Sequence, residues 1–490
     1  MTTPDFGLVL NHIDGKDVPA LDGAVFDKIA PATGKLLARV SASGERDVDA
    51  AVRAAAAVLD GAWGRTPGQE RGRLLHRLAD LVEAEAAELA RSQSHEQGKP
   101  MVDAQMMDIP LSVDTLRYFA GWADKLEGRT IPTAGFMGRQ TLNYTYRAPV
   151  GVAALIVPWN APLMIAIWKL APALAAGCSV VIKTSEDAPL AAGRLGALAT
   201  AAGFPPGVVN IVHGTGPKAG TALTQHPLVR KISFTGSTEV GRLIARTGAE
   251  SFKRVTLELG GKAAQIVFAD AQLDEAVAGI AMGLFLNQGQ TCAAGTRILV
   301  QRPLLGAIEE RLTAAARAVE LAGPEGGPAT PGTQMGALIN ARHHRRVRAV
   351  VEEARAEGAR CLTDGQKPVP DEGYFMRPAI FTDVRPGMIL AREEVFGPVG
   401  AIMPFDTEDE AIALANDTRY GLSTSLWTRD ISIAHRASAR LEVGAVAVNC
   451  WSPLDARLPW GGLKDSGVGR DLSRAALDGY LEEKAVTVML

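Results

Sequence analysis

From residue 150 to residue 268 the chain repeats one pattern: a short apolar run, a turn carrying Gly, Pro or Asn, a helix-like stretch, then another apolar run. The runs at 150–157, 178–182, 208–212, 231–234, 255–259 and 263–268 are short and rich in β-branched residues. Between them, 188–202 and 238–246 read as helices. Strands that are apolar on both faces and alternate with helices build a mostly parallel sheet covered on both sides. Ligands of such sheets sit beyond the carboxyl ends of the strands. The turns that follow these runs are therefore where chemistry is to be sought.

The rhythm restarts after Gly295. Residues 297–300 read as a strand, 304–321 as a helix, 323–336 as a Gly/Pro-rich loop, 343–359 as a charged helix and 445–449 as a strand. This predicts an α/β chain with two parallel-sheet lobes and a cleft between them. Alanine-rich amphipathic helices at 48–59 and 69–94 precede the first lobe, while alternating strands at 139–147 and 485–490 belong to neither. The uncharged stretch 150–168 approaches a bilayer span, but Pro158, Asn160 and Pro162 interrupt it, and a strand, a turn and a helix from 162 describe it better.

Composition narrows the function. With Lys+Arg 51 against Asp+Glu 54, the net charge of −3 supplies no field for gripping nucleic acid or an anionic membrane. Four cysteines without a CxxC pair exclude a disulfide scaffold, a zinc ribbon and a dithiol centre, and no metal is implied. The start, MTTPDFGLVL, lacks the basic and apolar regions of a signal peptide. A reducing cytoplasm fits both features.

Five places stand out. Cys292 lies in NQGQTCAAGTR, among small polar residues and glycines, the setting of a reachable thiol; an inert thiol is the alternative. Glu258, at a strand end before two glycines, reads either as a general base or as a surface partner of Lys262 or Arg254. Asn160, after a buried strand, either offers its amide to an oxyanion or stabilises a turn. Glycine-bearing turns at 213–220 and 234–241 suit a phosphate, with Ser237 placed to cap a helix or donate to that anion. Lys183 and Glu186 follow another strand, where a dinucleotide fold holds ribose hydroxyls; a solvated loop is the plainer reading.

Together these pieces resemble the NAD(P)-dependent aldehyde dehydrogenase superfamily. The matching motifs are PWN at 158–160, IKTSE at 182–186, GTGPKAG at 214–220, FTGSTEVG at 234–241, LELGGK at 257–262, GQTC at 289–292, EEVFGPV at 393–399, Asn416 with YGL at 420–422, and PWGGLKDSGVGR at 459–470. They follow the family's order over nearly the whole chain.

The resemblance implies an NAD-binding lobe (1–128 and 149–257), a catalytic lobe (258–462), and a small β oligomerisation arm (129–148 and 463–490) that makes a homodimer or homotetramer. It implies oxidation of an aldehyde to its acid: Cys292 attacks, Asn160 holds the oxyanion, Glu258 activates water on the thioester, and Lys169 is a buried lysine near the site. Pro158, Trp159, Lys183, Glu186, Gly216, Phe234, Gly236, Ser237, Leu259, Gly260, Glu394 and Phe396 would contact the cofactor. A carboxylate at Glu186 repels a 2′-phosphate and favours NAD, with NADP possible through Lys183. Ala161, Met164, Trp168, Leu286, Trp451, Leu454, Arg457 and Trp460 would form the substrate pocket. That surface suits a medium-sized aliphatic or aromatic aldehyde; the tryptophans alternatively suit a betaine-type or amino aldehyde. Leu286 disfavours a carboxylate-ended semialdehyde, although Arg457 offers such a tail a cation. Glu258 argues against a CoA-acylating enzyme, and the intact Cys, Glu and Asn against a non-catalytic binding protein. Two positions depart from the family pattern: Asp471 stands where Glu is frequent after Gly-Arg, and Trp460 where Phe is common.

Overall fold

The computed structural model describes residues 3–322 and 332–490. Two large sheets organise it. The first runs, in spatial order, Gly467–Val468, Arg254–Glu258, Val229–Thr235, Val152–Ile156, Ser179–Lys183, Val209–Val212, Asn11–Ile13 and Lys16–Val18. Its five central strands are parallel, and the strands flanking them on either side are antiparallel. The chain enters at Val152–Ile156, winds outward through Ser179–Lys183 to Val209–Val212, then returns to the other side at Val229–Thr235. That reversal opens a crevice above Val152–Ile156 and Val229–Thr235, the place where doubly wound sheets bind ligands.

The second sheet runs Arg360–Cys361, Ala379–Thr382, Val399–Phe405, Arg297–Gln301, Ala264–Val267, Ser423–Trp427 and Ala445–Val448, parallel but for the first. Its first-entered strand, Ala264–Val267, again lies centrally. The expected α/β class with two parallel-sheet lobes is what forms.

Local chemistry explains the element ends. Helix Pro162–Ala176 begins with proline in its first turn, where no intrahelical N–H is needed, and stops at Gly177, whose φ of 95° a Cβ would oppose. Every residue of it is buried, so its apolar character all round marks a core helix. The helix expected over 69–94 is two, Gly68–Ala84 and Ala86–Gln97, divided at Glu85. That expected over 188–202 is likewise Leu190–Gly193 and Leu195–Ala201. Most of the expected loop at 323–336 lies outside the described residues.

The two long strands outside the large sheets pair with each other: Thr141–Pro149 and Leu481–Met489 form an antiparallel ribbon. The ribbon is narrower than the expected arm. Leu463–Lys464 pairs with Tyr420–Gly421, Gly467–Val468 joins the first sheet, and helix Ser473–Asp478 sends Ala476 and Leu477 into that lobe's core. Among the described residues no helix is long and apolar enough to cross a membrane.

Candidate active site

Two cavities meet where the lobes face each other. A cleft of about 780 Å³ opens above the first sheet, and a second cavity of about 340 Å³ lies between helix Pro162–Ala176, the 101–111 segment and the loops at 282–293 and 451–460. They share Asn160, Thr235, Glu258, Leu259 and Cys292. The three residues singled out by sequence for chemistry thus stand on the boundary between both.

Each reaches that boundary differently. Glu258 ends its strand in register with Thr235. Its carboxyl is buried, and neither oxygen has a hydrogen-bond partner. A Cβ on Gly461, where φ is 157°, would lie 2.5 Å from Oε1 and 2.8 Å from the Gly469 carbonyl, so glycine suits the position over the carboxyl. Burial, then the nearby Asp471 carboxylate, raises the Glu258 carboxyl well above the ordinary range, and Lys169 only partly offsets this.

Cys292 follows a tight turn in which Asn287, Gln288 and Gly289 have φ of 48°, 58° and 69°. Three successive left-handed residues are held by side chains. Asn287 Nδ2 donates to the carbonyls of Asn160 (2.9 Å) and Gln290 (3.2 Å), Gln288 Nε2 to that of Ala337 (2.8 Å), and Gln290 Oε1 accepts from the Ile339 N–H (3.0 Å). The Cys292 carbonyl lies against Gly261, where a Cβ would come within 2.6 Å of it. The thiol is partly accessible because it faces both cavities, yet protein encloses it otherwise. Burial and the carboxylates of Glu394 and Glu258 push it up to about 12.

Asn160 sits between its strand and helix Pro162–Ala176, and its Nδ2 donates to the Gln290 carbonyl at 3.0 Å. The amide is therefore fixed against the loop that carries Cys292. Lys169 stands behind the site rather than in its wall. It is fully buried and donates to Asp471 Oδ2 (2.6 Å) and Ser233 Oγ (3.2 Å). Asp471 itself faces the smaller cavity, so the shorter carboxylate still joins this lysine to the site.

Pro158, Trp159, Lys183, Glu186, Gly216, Phe234, Gly236, Ser237, Leu259, Gly260, Glu394 and Phe396 all line the larger cleft. Lys183 Nζ donates to Glu186 Oε2 at 2.9 Å. Burial opposes ionisation of Glu186, but Lys183 and backbone N–H groups outweigh it and hold the carboxyl below its usual range. Ser237 caps helix Thr238–Glu250 by accepting from the Val240 N–H, leaving the helix start facing the cleft. Glu394 accepts from the Gly261 N–H at 2.9 Å, and burial raises it to about 7. Sequence reading missed His343, whose ring meets Trp159 edge-on at 5.5 Å and bonds the Phe396 carbonyl at 2.7 Å. It opens an amphipathic helix with no local motif to mark it.

Ala161, Met164, Trp168, Leu286, Trp451, Leu454 and Trp460 line the smaller cavity as expected. Arg457 does not. It is 76% exposed and bound to Asp455 two residues earlier, at 2.8 and 2.6 Å. A neighbouring carboxylate in a tight turn captures the guanidinium, which water solvates at no cost. Missed instead were Lys99, Asp103, Met106, Met107, Asp108 and Leu111, brought to the wall by a segment far from any motif.

Comparison with known proteins places the chain in a family. A model described as the aldehyde dehydrogenase family matches residues 19–486. Aldehyde dehydrogenase 1A1 of Gallus gallus is 44% identical over 474 residues, 96% of this chain and 91% of that protein. Retinal dehydrogenase 2 of Mus musculus is 44% identical over 471 residues, 96% of this chain and 89% of its own. The solved NAD+ complex of aldehyde dehydrogenase from Bacillus cereus shares 41% identity with a TM-score of 0.95, covering 98% of this chain and 96% of that one. The chain belongs to the aldehyde dehydrogenase family.

Proposed function

We propose that this chain oxidises a medium-sized apolar aldehyde to its carboxylic acid with NAD, through a covalent intermediate on Cys292. The convergence of Cys292, Glu258 and Asn160 on the wall shared by two cavities carries this reading, because a thiol, a base and an amide donor are what acyl formation and hydrolysis require.

The cleft fits NAD on its own features. Ser237 and the helix start behind it suit the pyrophosphate. Lys183 and Glu186 suit ribose hydroxyls, and the ionised Glu186 disfavours a 2′-phosphate. A Cβ on Gly260 would strike Glu394 Oε2 at 2.4 Å, and one on Gly216 would project into open space of the cleft. Glycine at 216 leaves backbone bare on the cleft wall, and glycine at 260 makes room for the Glu394 carboxylate. Held by these residues, NAD would supply hydride acceptance, the chemistry that oxidation of an aldehyde bound to Cys292 requires.

The protein's own groups do the rest. A thiol raised to about 12 needs a base for its proton when it attacks the carbonyl. Glu258, with both oxygens free and a raised affinity for protons, is placed to take it and later to take one from water attacking the thioester. Asn160 Nδ2 and the Cys292 N–H provide donors for the oxyanion. The cavity wall of Met106, Met107, Met164, Leu286, Trp168 and Trp460 suits an apolar substrate body, as does the likeness to a retinal dehydrogenase.

On this reading residues 1–128 and 149–257 bind cofactor, 258–462 carry the reacting groups, and the ribbon of Thr141–Pro149 and Leu481–Met489 pairs subunits. Its exposed Leu142, Tyr146 and Val488 support that last role. The test is a panel of aldehydes with NAD and NADP, followed by NADH absorbance, with and without CoA. Oxidation of apolar aldehydes without CoA is the expected outcome; none with any aldehyde, or strict CoA dependence, refutes the proposal.

A further inference from the structure

Phe396, on the wall of the larger cleft, has a φ of 60°. A bulky aromatic residue takes that left-handed backbone only where its surroundings impose it. Three contacts do so. His343, in the first turn of helix Ala341–Ala356, donates from Nε2 to the Phe396 carbonyl at 2.7 Å. Gly397 lies so close to the same helix that a Cβ on it would come within 2.9 Å of Val347 Cγ1. A Cβ on Gly289 would come within 2.4 Å of the Gly397 carbonyl oxygen. The turn that carries Phe396 therefore rests, backbone on backbone, on the left-handed turn that leads to Cys292.

The chemistry described above makes no use of His343. Its backbone N–H is fixed by Asn340 Oδ1 at 2.8 Å. Its ring stands edge-on to Trp159 and Phe396, with centroids 5.5 and 6.2 Å away, and those two rings meet each other at 5.2 Å. A carbonyl only accepts, so Nε2 carries the ring proton. Burial pushes the imidazole down to about 4, which keeps it neutral at physiological pH. The segment leading into the helix is tied to the nucleophile turn as well: the Ala337 carbonyl accepts from Gln288 Nε2, and the Ile339 N–H donates to Gln290 Oε1. A histidine that only filled space could aim its donor anywhere; this one is spent on a strained residue whose ring forms the cleft wall. Resting on the assignment of this cleft to NAD, we infer that His343 is a positioning residue: its Nε2–H holds Phe396 in the left-handed conformation, and so sets the part of the wall where the reacting end of the cofactor meets Cys292. Without that bond Phe396 relaxes toward ordinary backbone, its ring leaves Trp159, and Gly397 loosens from the turn before Cys292. The adenosine end, held by Lys183, Glu186 and Ser237, is untouched.

The test uses the full chain and compares His343→Leu, which removes the donor and keeps apolar bulk, with His343→Gln, which keeps an N–H able to reach a carbonyl. The readouts are the first-turnover NADH burst with the best aldehyde of the panel, and calorimetric binding of NAD and of AMP. The leucine variant should slow the burst by about tenfold or more and weaken NAD several-fold, with AMP affinity within about twofold of wild type. Glutamine should recover most of both losses. A leucine variant with a normal burst overturns the inference. So does parallel loss of AMP and NAD, which marks a general defect of the fold, or a glutamine variant no better than leucine, which makes the role one of packing. If the leucine variant does not fold, ring-nitrogen NMR of His343 in the wild-type protein decides: an Nε2–H tautomer whose resonances shift with NAD and not with AMP is expected. An Nδ1–H tautomer, no change with NAD, or an equal change with AMP overturns the inference. Failure of the wider functional reading is distinguishable, because then the wild-type protein itself makes no NADH with any aldehyde.

Discussion

The two cavities that meet at Cys292 are made by different means. The larger cleft is framed by glycines 216, 220, 236 and 260, the start of helix Thr238–Glu250, and turns that directly follow parallel strands, with side chains such as Lys183, Glu186 and Phe396 added to that frame. The smaller one is a lining of side chains gathered from segments at 103–111, 160–168, 282–293 and 451–460. A cleft of the first kind is placed by topology, because parallel strands end on one side of the sheet and the winding reverses above its centre. A cavity of the second kind is set residue by residue, and a single substitution can alter its size or charge. The cofactor side should therefore be the conservative half of the enzyme, and the substrate side the adjustable one.

The sharpest test of this division is to remove the atom on which both halves converge. Cys292→Ala should lower turnover by on the order of 10³-fold or more. NAD binding, measured by calorimetry, should stay within a few fold, because the cleft's backbone is untouched. Substantial turnover in this variant would dissolve the boundary between the halves.

Glu258 faces both cavities and comes next. Glu258→Gln should slow steady-state turnover by about 10²-fold and slow the first-turnover burst of NADH as well, since the base for both the Cys292 proton and the attacking water is lost. Its raised carboxyl gives the pH dependence a definite sign. The base works only when deprotonated, so wild-type turnover should fall as pH drops through this raised value, above the ordinary carboxylate range. The glutamine variant should lack that limb. A burst that vanishes while steady turnover stays normal would remove Glu258 from the hydrolytic step.

On the adjustable side, Trp460 meets Trp168 with ring centroids 6.5 Å apart and planes at 61°. Trp460→Ala should enlarge the cavity, cost about 3 kcal/mol of stability, and lower kcat/KM for small aldehydes by about tenfold while improving bulky ones. Uniform loss across sizes, with NAD affinity also reduced, would mean that the two halves are not separable.

How much could be read from the sequence follows the same line. The strands Val152–Ile156, Val229–Thr235 and Arg254–Glu258 announce themselves as apolar runs, and the residues after them, Asn160, Gly236 and Leu259, fall in the cleft because strand ends must point there. Asp103 and Met106 carry no such mark. Their segment reaches the wall only through tertiary packing of the helix Ile109–Ala120 on Pro162–Ala176. Arg457 shows the converse: the resemblance puts it in the pocket, and a local carboxylate takes it out. Lys169 was legible as a lysine near the site, but its partner Asp471 lies 302 positions away, a pairing only the fold reveals.

The smallest effect is expected at Glu186, on the conservative side, where a side chain does decide something. Its carboxylate is held ionised by Lys183 at 2.9 Å. Glu186→Gln removes the repulsion toward a 2′-phosphate while Lys183 Nζ keeps a ribose-facing donor and gains freedom to meet that phosphate. The kcat/KM ratio of NAD to NADP should drop by about five- to tenfold, mostly through the KM of NADP, consistent with one exposed-to-half-buried charge interaction of about 1 kcal/mol. Activity with NAD should change little, because a glutamine still offers an oxygen to the ribose. An unchanged ratio would mean that cofactor choice, too, is a property of the backbone cleft, and would extend the conservative half to every residue in it.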